Sequence, residues 1–317
     1  MEGSGSALFI DADAYQASLP AAIRLLVTRA GKFRARLTWV ELKDLRLMHA
    51  RETLPRIAYV VLPPEWVFIG FPTHRTSSLT CGGTRLQMGD IIFQGLGERL
   101  HQRTATGTMW GSIALTPAAL RAYGKTLAGR DIMPPSSGEI LCPPPADWRQ
   151  LLRLHAEAVR IAETKLNHIG HSEVARAVDQ DLIWALLACL TTGEPREDSA
   201  VRCSHASVMV QFEEALMARL GRSPRGSEIR DAIGVSERVL EICCREVLDM
   251  HPAQYLHLCI LDGARRALMM HGDPTESDAE VTKRYGFTDL DHFLTEFRRA
   301  FGDFPQITPR HTTDRQI

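Results

Sequence analysis

No run in the 317-residue chain approaches the ~18–20 consecutive apolar residues that a membrane-spanning helix requires. The N-terminus, MEGSGSALFIDADAY, also lacks the basic start and apolar core of a secretory signal, so a cytoplasmic location without a membrane partner is expected. The seven cysteines are odd in number, scattered and without a CxxC pair, which argues against a disulfide framework or zinc ribbon and leaves reduced, buried thiols. The chain has no GxSxG, P-loop, GxGxxG or HExxH motif, so the commonest nucleophile, nucleotide and metalloprotease arrangements are not offered. Neither sign of charge dominates, the formal net charge being −1. The balance is uneven, however: residues 1–204 hold 23 Lys and Arg against 20 Asp and Glu, and residues 205–317 hold 14 against 18.

The length suits two domains, each able to bury its own core, and the patterns predict an α+β chain. Residues 1–20 are small and polar and are expected to lack order. From Phe33, FRARLTWVEL alternates, with Phe33, Ala35, Leu37 and Trp39 on one face and Arg34, Arg36 and Thr38 on the other, the period-2 mark of a half-buried strand. Strand-like runs recur at 57–62, 65–71, 90–94 and 108–115, separated by Pro-Pro, Cys-Gly-Gly and Gly-Leu-Gly, so residues 21–145 suggest a small β-barrel or sandwich. Residues 117–128 read as a short helix, and 133–148 as a proline-rich crossing too donor-poor for a strand interior. Residues 146–192 contain two amphipathic segments joined by Asn167-His168-Ile169-Gly170, which predicts an antiparallel helical hairpin. The polar stretch 193–204 reads as a linker, and everything beyond it has a helical pattern.

Within that last part the chain repeats itself. At an offset of 52, Ile229 matches Val281, Gly234 matches Gly286, Val235 matches Phe287 and Ser236 matches Thr288; at 53, Leu240 matches Phe293, Cys244 matches Phe297, Arg245 matches Arg298, Leu248 matches Phe301 and Pro252 matches Pro305. Each copy is a short helix, a glycine able to take positive φ, an apolar residue, a Ser or Thr suited to an N-cap, and a longer amphipathic helix. That is a helix-turn-helix, present twice. HPAQYLHLCILDGARRALMM runs between the copies, with Pro252 placed at a helix start, and about 20 helical residues would span roughly 30 Å.

On GVSERVL, HPAQYL, Ala264-Arg265-Arg266-Ala267 and YGFTDLDHF followed by EFRRAFGDFP, residues 205–310 resemble the DNA-binding domain of AraC/XylS-type transcription regulators. MGDIIFQ is similar, in outline only, to the Gly-Asp turn of that family's cupin-type sensor domain. The resemblance implies an N-terminal cupin-like β-barrel with a dimerising helical hairpin and a C-terminal all-α double helix-turn-helix. It implies a homodimeric regulator, an activator or a repressor, that binds double-stranded promoter DNA, a small-molecule effector and RNA polymerase, with no catalysis and no cofactor. Carried over residue by residue, it places Arg238, Glu241 and Ile242 on the first reading helix and Leu290, Asp291 and Thr295 on the second, facing bases. Ser236, Arg245, Thr288, Arg298 and Arg299 fall at phosphate-contacting positions, Ser236 and Thr288 as caps whose helix amides face phosphate. Ile242 and Thr295 stand where the family often carries arginine, Cys244 where an aromatic is usual, and Ile260 where arginine is common. With the acidic balance beyond residue 204, these departures predict weak nonspecific DNA affinity.

Other constellations weigh less. His168-x-x-His171 contains Gly170 and has no evident third ligand, and His101 follows MGDIIFQ without an HxH or a downstream Glu, so no metal site is expected. Cys243-Cys244 reads as two small residues on a packing face rather than as a redox pair. Trp39, Trp66, Phe93 and Trp110 are candidates for the wall of an effector pocket, with plain core as the alternative. The rival to a regulator is a cupin-like enzyme or ligand-binding protein whose C-terminal domain mediates protein interaction; stoichiometric bound metal would favour it.

Overall fold

In chain order, the N-terminal part runs β1 (Gly5–Phe9), α1 (Ala12–Ala17), β2 (Ala22–Val27), β3 (Ala35–Glu41), β4 (Arg46–Glu52), β5 (Arg56–Val61), β6 (Val67–Pro72), β7 (Leu79–Cys81), β8 (Thr84–Arg85), β9 (Ile91–Phe93), β10 (Arg99–Thr104) and β11 (Thr108–Leu115). It continues with α2 (Pro117–Ala128), β12 (Glu139–Cys142), α3 (Pro145–Thr164), α4 (Ser172–Thr192) and β13 (Glu194–Pro195). This computed structural model describes residues 3–164, 172–196, 200–219, 224–269 and 277–302. The strands pair antiparallel into an eight-stranded sheet, β1-β3-β4-β11-β6-β9-β12-β13, and a five-stranded sheet, β2-β5-β10-β7-β8. Among the described residues no pairing joins the two sheets, so the N-terminal part is sheet-rich rather than a closed ring of strands.

Alternation along the strands decides which side each layer covers. Ile69, Phe71, Ile91, Phe93, Ile113 and Leu115 of the large sheet pack under α3 and α4. Their neighbours Phe68, Ile92 and Trp110 point the other way, toward Ala58, Val60, Leu79 and Leu100 of the small sheet. Thr38, on the polar face of β3, is nonetheless buried, because α3 crosses it and Glu163 accepts from its hydroxyl at 2.9 Å. The helix expected at 117–128 is α2, capped by Thr116, and α3 and α4 pack on one another as the two arms of the expected hairpin. The junction at 167–170 lies outside the described residues, as do His168 and His171.

Residues 1–20 differ from the expectation. β1 pairs with β3 from Gly5–Trp39 to Phe9–Ala35, and α1, capped by Asp11, buries Tyr15 completely. Small residues let β1 lie close: a Cβ on Gly5 would meet the Trp39 ring at 2.7 Å. The proline-rich crossing is not strand-free either, since β12 occupies the four residues between Gly138 and Pro143 and bridges β9 and β13. Its prolines flank the ladder instead of interrupting it. The stretch 193–204 likewise holds β13 and the first residues of the next helix.

The C-terminal part is helical: α5 (Ala200–Met217), α6 (Gly226–Ile233), α7 (Glu237–Leu248), α8 (Pro252–Met269), α9 (Asp278–Arg284) and α10 (Leu290–Phe301). Its core has two centres. One joins α5, α6, α7 and the first half of α8 through Phe212, Ile229, Leu240 and Tyr255; the other joins the second half of α8 to α9 and α10 through Leu261, Val281, Phe293 and Phe297.

Candidate nucleic-acid interface

The repeat read from the sequence is a repeat of local physics. Gly234 (φ 68°) and Gly286 (φ 91°) both adopt the left-handed conformation that ends one helix and redirects the chain, which costs a residue with a Cβ more than it costs glycine. Val235 and Phe287 then turn inward, Phe287 being buried. Ser236 caps α7 by accepting from the Val239 amide. In the second copy the cap is Asp289, which accepts from the His292 amide at 2.8 Å. The expected cap, Thr288, instead shares its hydroxyl with the His292 ring at 2.9 Å. The one-residue difference between offsets 52 and 53 thus becomes a cap shifted by one position.

α7 buries Leu240, Cys243, Cys244, Val247 and Leu248. Both cysteines are free and fully buried on the packing face, and burial pushes the Cys244 thiol up to about 12, which disfavours the reactive thiolate. The opposite face carries exposed Arg238 and Arg245, with Val239 at 40% and Ile242 at 45% exposure. Glu241 is half-buried, and accepts from Arg245 at 3.0 Å. On α10, Asp291, Thr295, Arg298 and Arg299 are exposed, while Leu290 is half-buried against the Phe293 cluster. Arg299 pairs with Glu296 at 3.1 Å, a surface contact of little strength. Ile260, where arginine was expected by resemblance, is half-buried and packs against both C-terminal clusters.

The back of this domain lies on the five-stranded sheet. β10 presents Arg99 to Glu214, His101 to Glu213 and Arg103 to Asp249, three alternate side chains on one face. From β2, Arg24 reaches Glu213 at 2.8 Å, and Leu26 joins Ile57 of β5 within the C-terminal core. Glu213 is wholly buried and also accepts from the Tyr255 hydroxyl at 2.6 Å. Burial alone would raise its pKa, but the His101 hydrogen bond and the Arg24 charge outweigh that and hold it below the ordinary carboxylate value. At the other end, Arg265 and Arg266 bridge Asp262 of their own helix to Asp13 of α1. The two arginines of the Ala-Arg-Arg-Ala segment therefore face the N-terminal domain. Three of the acids behind the acidic C-terminal balance, Glu213, Glu214 and Asp249, likewise meet arginines of the small sheet. The sequence carried a signal for this seam: RLHQRT alternates basic and non-basic residues, and a basic face on a strand needs an acidic surface to cover it.

Of the four aromatics proposed for an effector pocket, Trp110 lines a cavity between the two sheets. Phe93 faces the opposite side, under the α3–α4 hairpin, Trp66 carries the Arg46 guanidinium over its ring at 4.0 Å, and Trp39 packs in the cluster around Tyr15. The signal missed was polar: Arg56 and Gln94 line the cavity and are buried. Among the described residues, no three His, Cys, Asp or Glu side chains are placed to hold a metal ion.

Residues 229–311 match a family model described as a helix-turn-helix domain. No curated protein matches the chain. Similar solved structures include the AraC-like transcriptional activator CuxR, at 13% identity over 86% of this chain and 96% of that one with a TM-score of 0.46. They also include a lysine-to-alanine variant of apo ToxT from Vibrio cholerae, at 9% identity over 89% and 94% with a TM-score of 0.27. The matched residues span the motifs that carry the AraC/XylS-type resemblance, and the C-terminal part of the chain contains a helix-turn-helix domain.

Proposed function

We propose that this chain is a sequence-specific, DNA-binding transcription regulator of the cytoplasm, an activator whose cupin-like N-terminal domain holds a small-molecule effector. The observation that carries the reading is the duplicated glycine turn and reading helix, both copies built on one connecting helix. α8 has 18 residues, about 27 Å at 1.5 Å each, close to the ~34 Å between successive major-groove faces on one side of B-DNA. In this reading Arg238, Glu241 and Ile242 on α7 meet base edges in one groove segment, and Asp291 and Thr295 on α10 meet those in the next. Leu290, half-buried, contributes least. Ser236, Arg245, Thr288, Arg298 and Arg299 line the rims and contact phosphate.

Among the described residues Arg245 and Arg299 are already paired with Glu241 and Glu296, so affinity comes from base recognition and from two subunits acting together more than from phosphate neutralisation. The α3–α4 hairpin, with Trp184 exposed to 47%, supplies the homodimer contact, and effector binding changes how the reading helices are presented to promoter and RNA polymerase. The test is binding of the purified protein to its own upstream DNA across a salt series. A preference of at least about 10³-fold over random duplex is expected, and equal affinity for both would overturn the proposal.

A further inference from the structure

We propose that the cavity between the two sheets binds a small, uncharged, mainly apolar molecule carrying a carbonyl-type oxygen, held by Arg56 and Gln94. The cavity has a volume of about 80 Å³ and is walled largely by Ala58 and Val60 of β5, Phe68, Ile92 and Trp110. Into this apolar space the chain places two polar side chains, Arg56 at 1% and Gln94 at 4% exposure. The Arg56 Nη1 and the Gln94 Nε2 have no acceptor within the protein. Two donors without an acceptor, buried along one cavity, call for oxygen on the occupant, because a buried donor left unmade is costly.

The neighbours of Arg56 decide the charge of that occupant. Glu52 accepts from Arg56 Nε at 3.0 Å and Nη2 at 3.4 Å, and its Oε1 also takes the Tyr15 hydroxyl at 2.7 Å and the Trp110 indole N–H at 2.8 Å. The carboxylate is thereby fixed on one side of the guanidinium and already balances its charge. An anionic ligand would add an unbalanced charge to a buried site, whereas a ketone, aldehyde or amide oxygen accepts without adding one. Sugars fit poorly, since apolar walls leave most hydroxyls unpaired. Size narrows the class further: the cavity is about half the ~150 Å³ of one known to hold benzene, so the occupant is smaller than benzene.

This inference rests on the reading of the N-terminal domain as the sensing one and adds a route for the signal. Arg56, Ala58 and Val60 face the cavity, while Ile57, between them on β5, packs in the core of the DNA-binding domain. On β10, Gln102 faces the cavity and His101 and Arg103 face Glu213 and Asp249. One strand's thickness separates occupant and reader.

Three probes of five heavy atoms each test it on the full-length chain without DNA: butanone, 2-methylbut-1-ene and propionate. Butanone is expected to shift the Gln94 side-chain amide resonances and to bind about tenfold tighter than the alkene, which lacks the acceptor; propionate is expected to bind at least tenfold more weakly than butanone. Gln94→Met should reduce the preference for butanone over the alkene while circular dichroism stays unchanged. If that variant fails to fold, the comparison of the three probes on the wild-type chain decides alone. Equal binding of butanone and the alkene, tighter binding of propionate, or no response at Gln94 to any probe would each overturn the inference. Ligand binding without promoter binding would instead sink the regulator reading and leave this site standing, and promoter binding without a response at Gln94 the reverse.

Discussion

Changing Glu213 to Gln tests whether the N-terminal and C-terminal domains are one cooperative body. Glu213 is wholly buried, and its partner Arg24, at 2.8 Å, has a side chain only 8% exposed. Removing the carboxylate charge leaves a buried guanidinium without a counter-charge, which costs about 3–5 kcal/mol; Gln keeps the size and an acceptor for Tyr255, so a loss near ~3 kcal/mol is expected. The tryptophans make a convenient reporter, because all five lie before residue 185 while the C-terminal domain is helical. In urea, tryptophan fluorescence and far-ultraviolet circular dichroism should give coincident transitions for the wild type and separated ones for Glu213→Gln. A double variant, Arg24→Met with Glu213→Met, should be less destabilised than either single variant, since it leaves no orphan charge. The pH dependence follows from the lowered pKa of Glu213: its contribution is present above the unfolded value near 4.5 and is lost as pH falls through the lower folded value. Coincident transitions in Glu213→Gln, with stability within about 0.5 kcal/mol of wild type, would refute the reasoning.

Arg238→Ala should change preference at particular base positions in a selection from random DNA, whereas Arg299→Ala should weaken all sequences alike and lower the salt slope by about one unit. Gly234→Ala should cost about 1–2 kcal/mol in urea unfolding, from its φ of 68° alone, because a Cβ there meets nothing within 4 Å. His155, fully buried against Phe71 and Met48, has its pKa lowered to about 3, so the unfolded chain takes up a proton below 6.5 that the folded one refuses. Stability should then fall with pH below about 6.5 by up to ~1.4 kcal/mol per unit, a slope His155→Gln should flatten. Trp184→Ser should shift light-scattering mass from dimer toward monomer without loss of helix.

The elements legible in the sequence were those whose own residues set their geometry. Alternation gave β3, the run TMWGSIAL gave β11, and the repeated glycine turns gave both copies of the reading motif, down to the Ser236 cap. β1 and β12 escaped because neither is set by its own propensity: GSALF is held by β3, and the residues of β12 by β9 and β13. Asp289 escaped as a cap because the repeat pointed to its neighbour Thr288, and local hydrogen bonding overrode the match. The pocket aromatics were chosen by residue type, which does not say which face of a sheet a side chain takes. Arg56 stood at a strand start, where an exposed arginine is the usual reading, and only Glu52, Tyr15 and Trp110 together explain its burial.

β10 separates two jobs by parity. Gln102 faces the cavity and Leu100 the apolar cluster between the sheets, whereas Arg99, His101 and Arg103 face the C-terminal domain. Because neighbours in one strand never share a face, the cavity wall and the seam with the C-terminal domain can change independently within six consecutive residues. A chain built this way can alter what it holds between its sheets without altering how its two domains are joined.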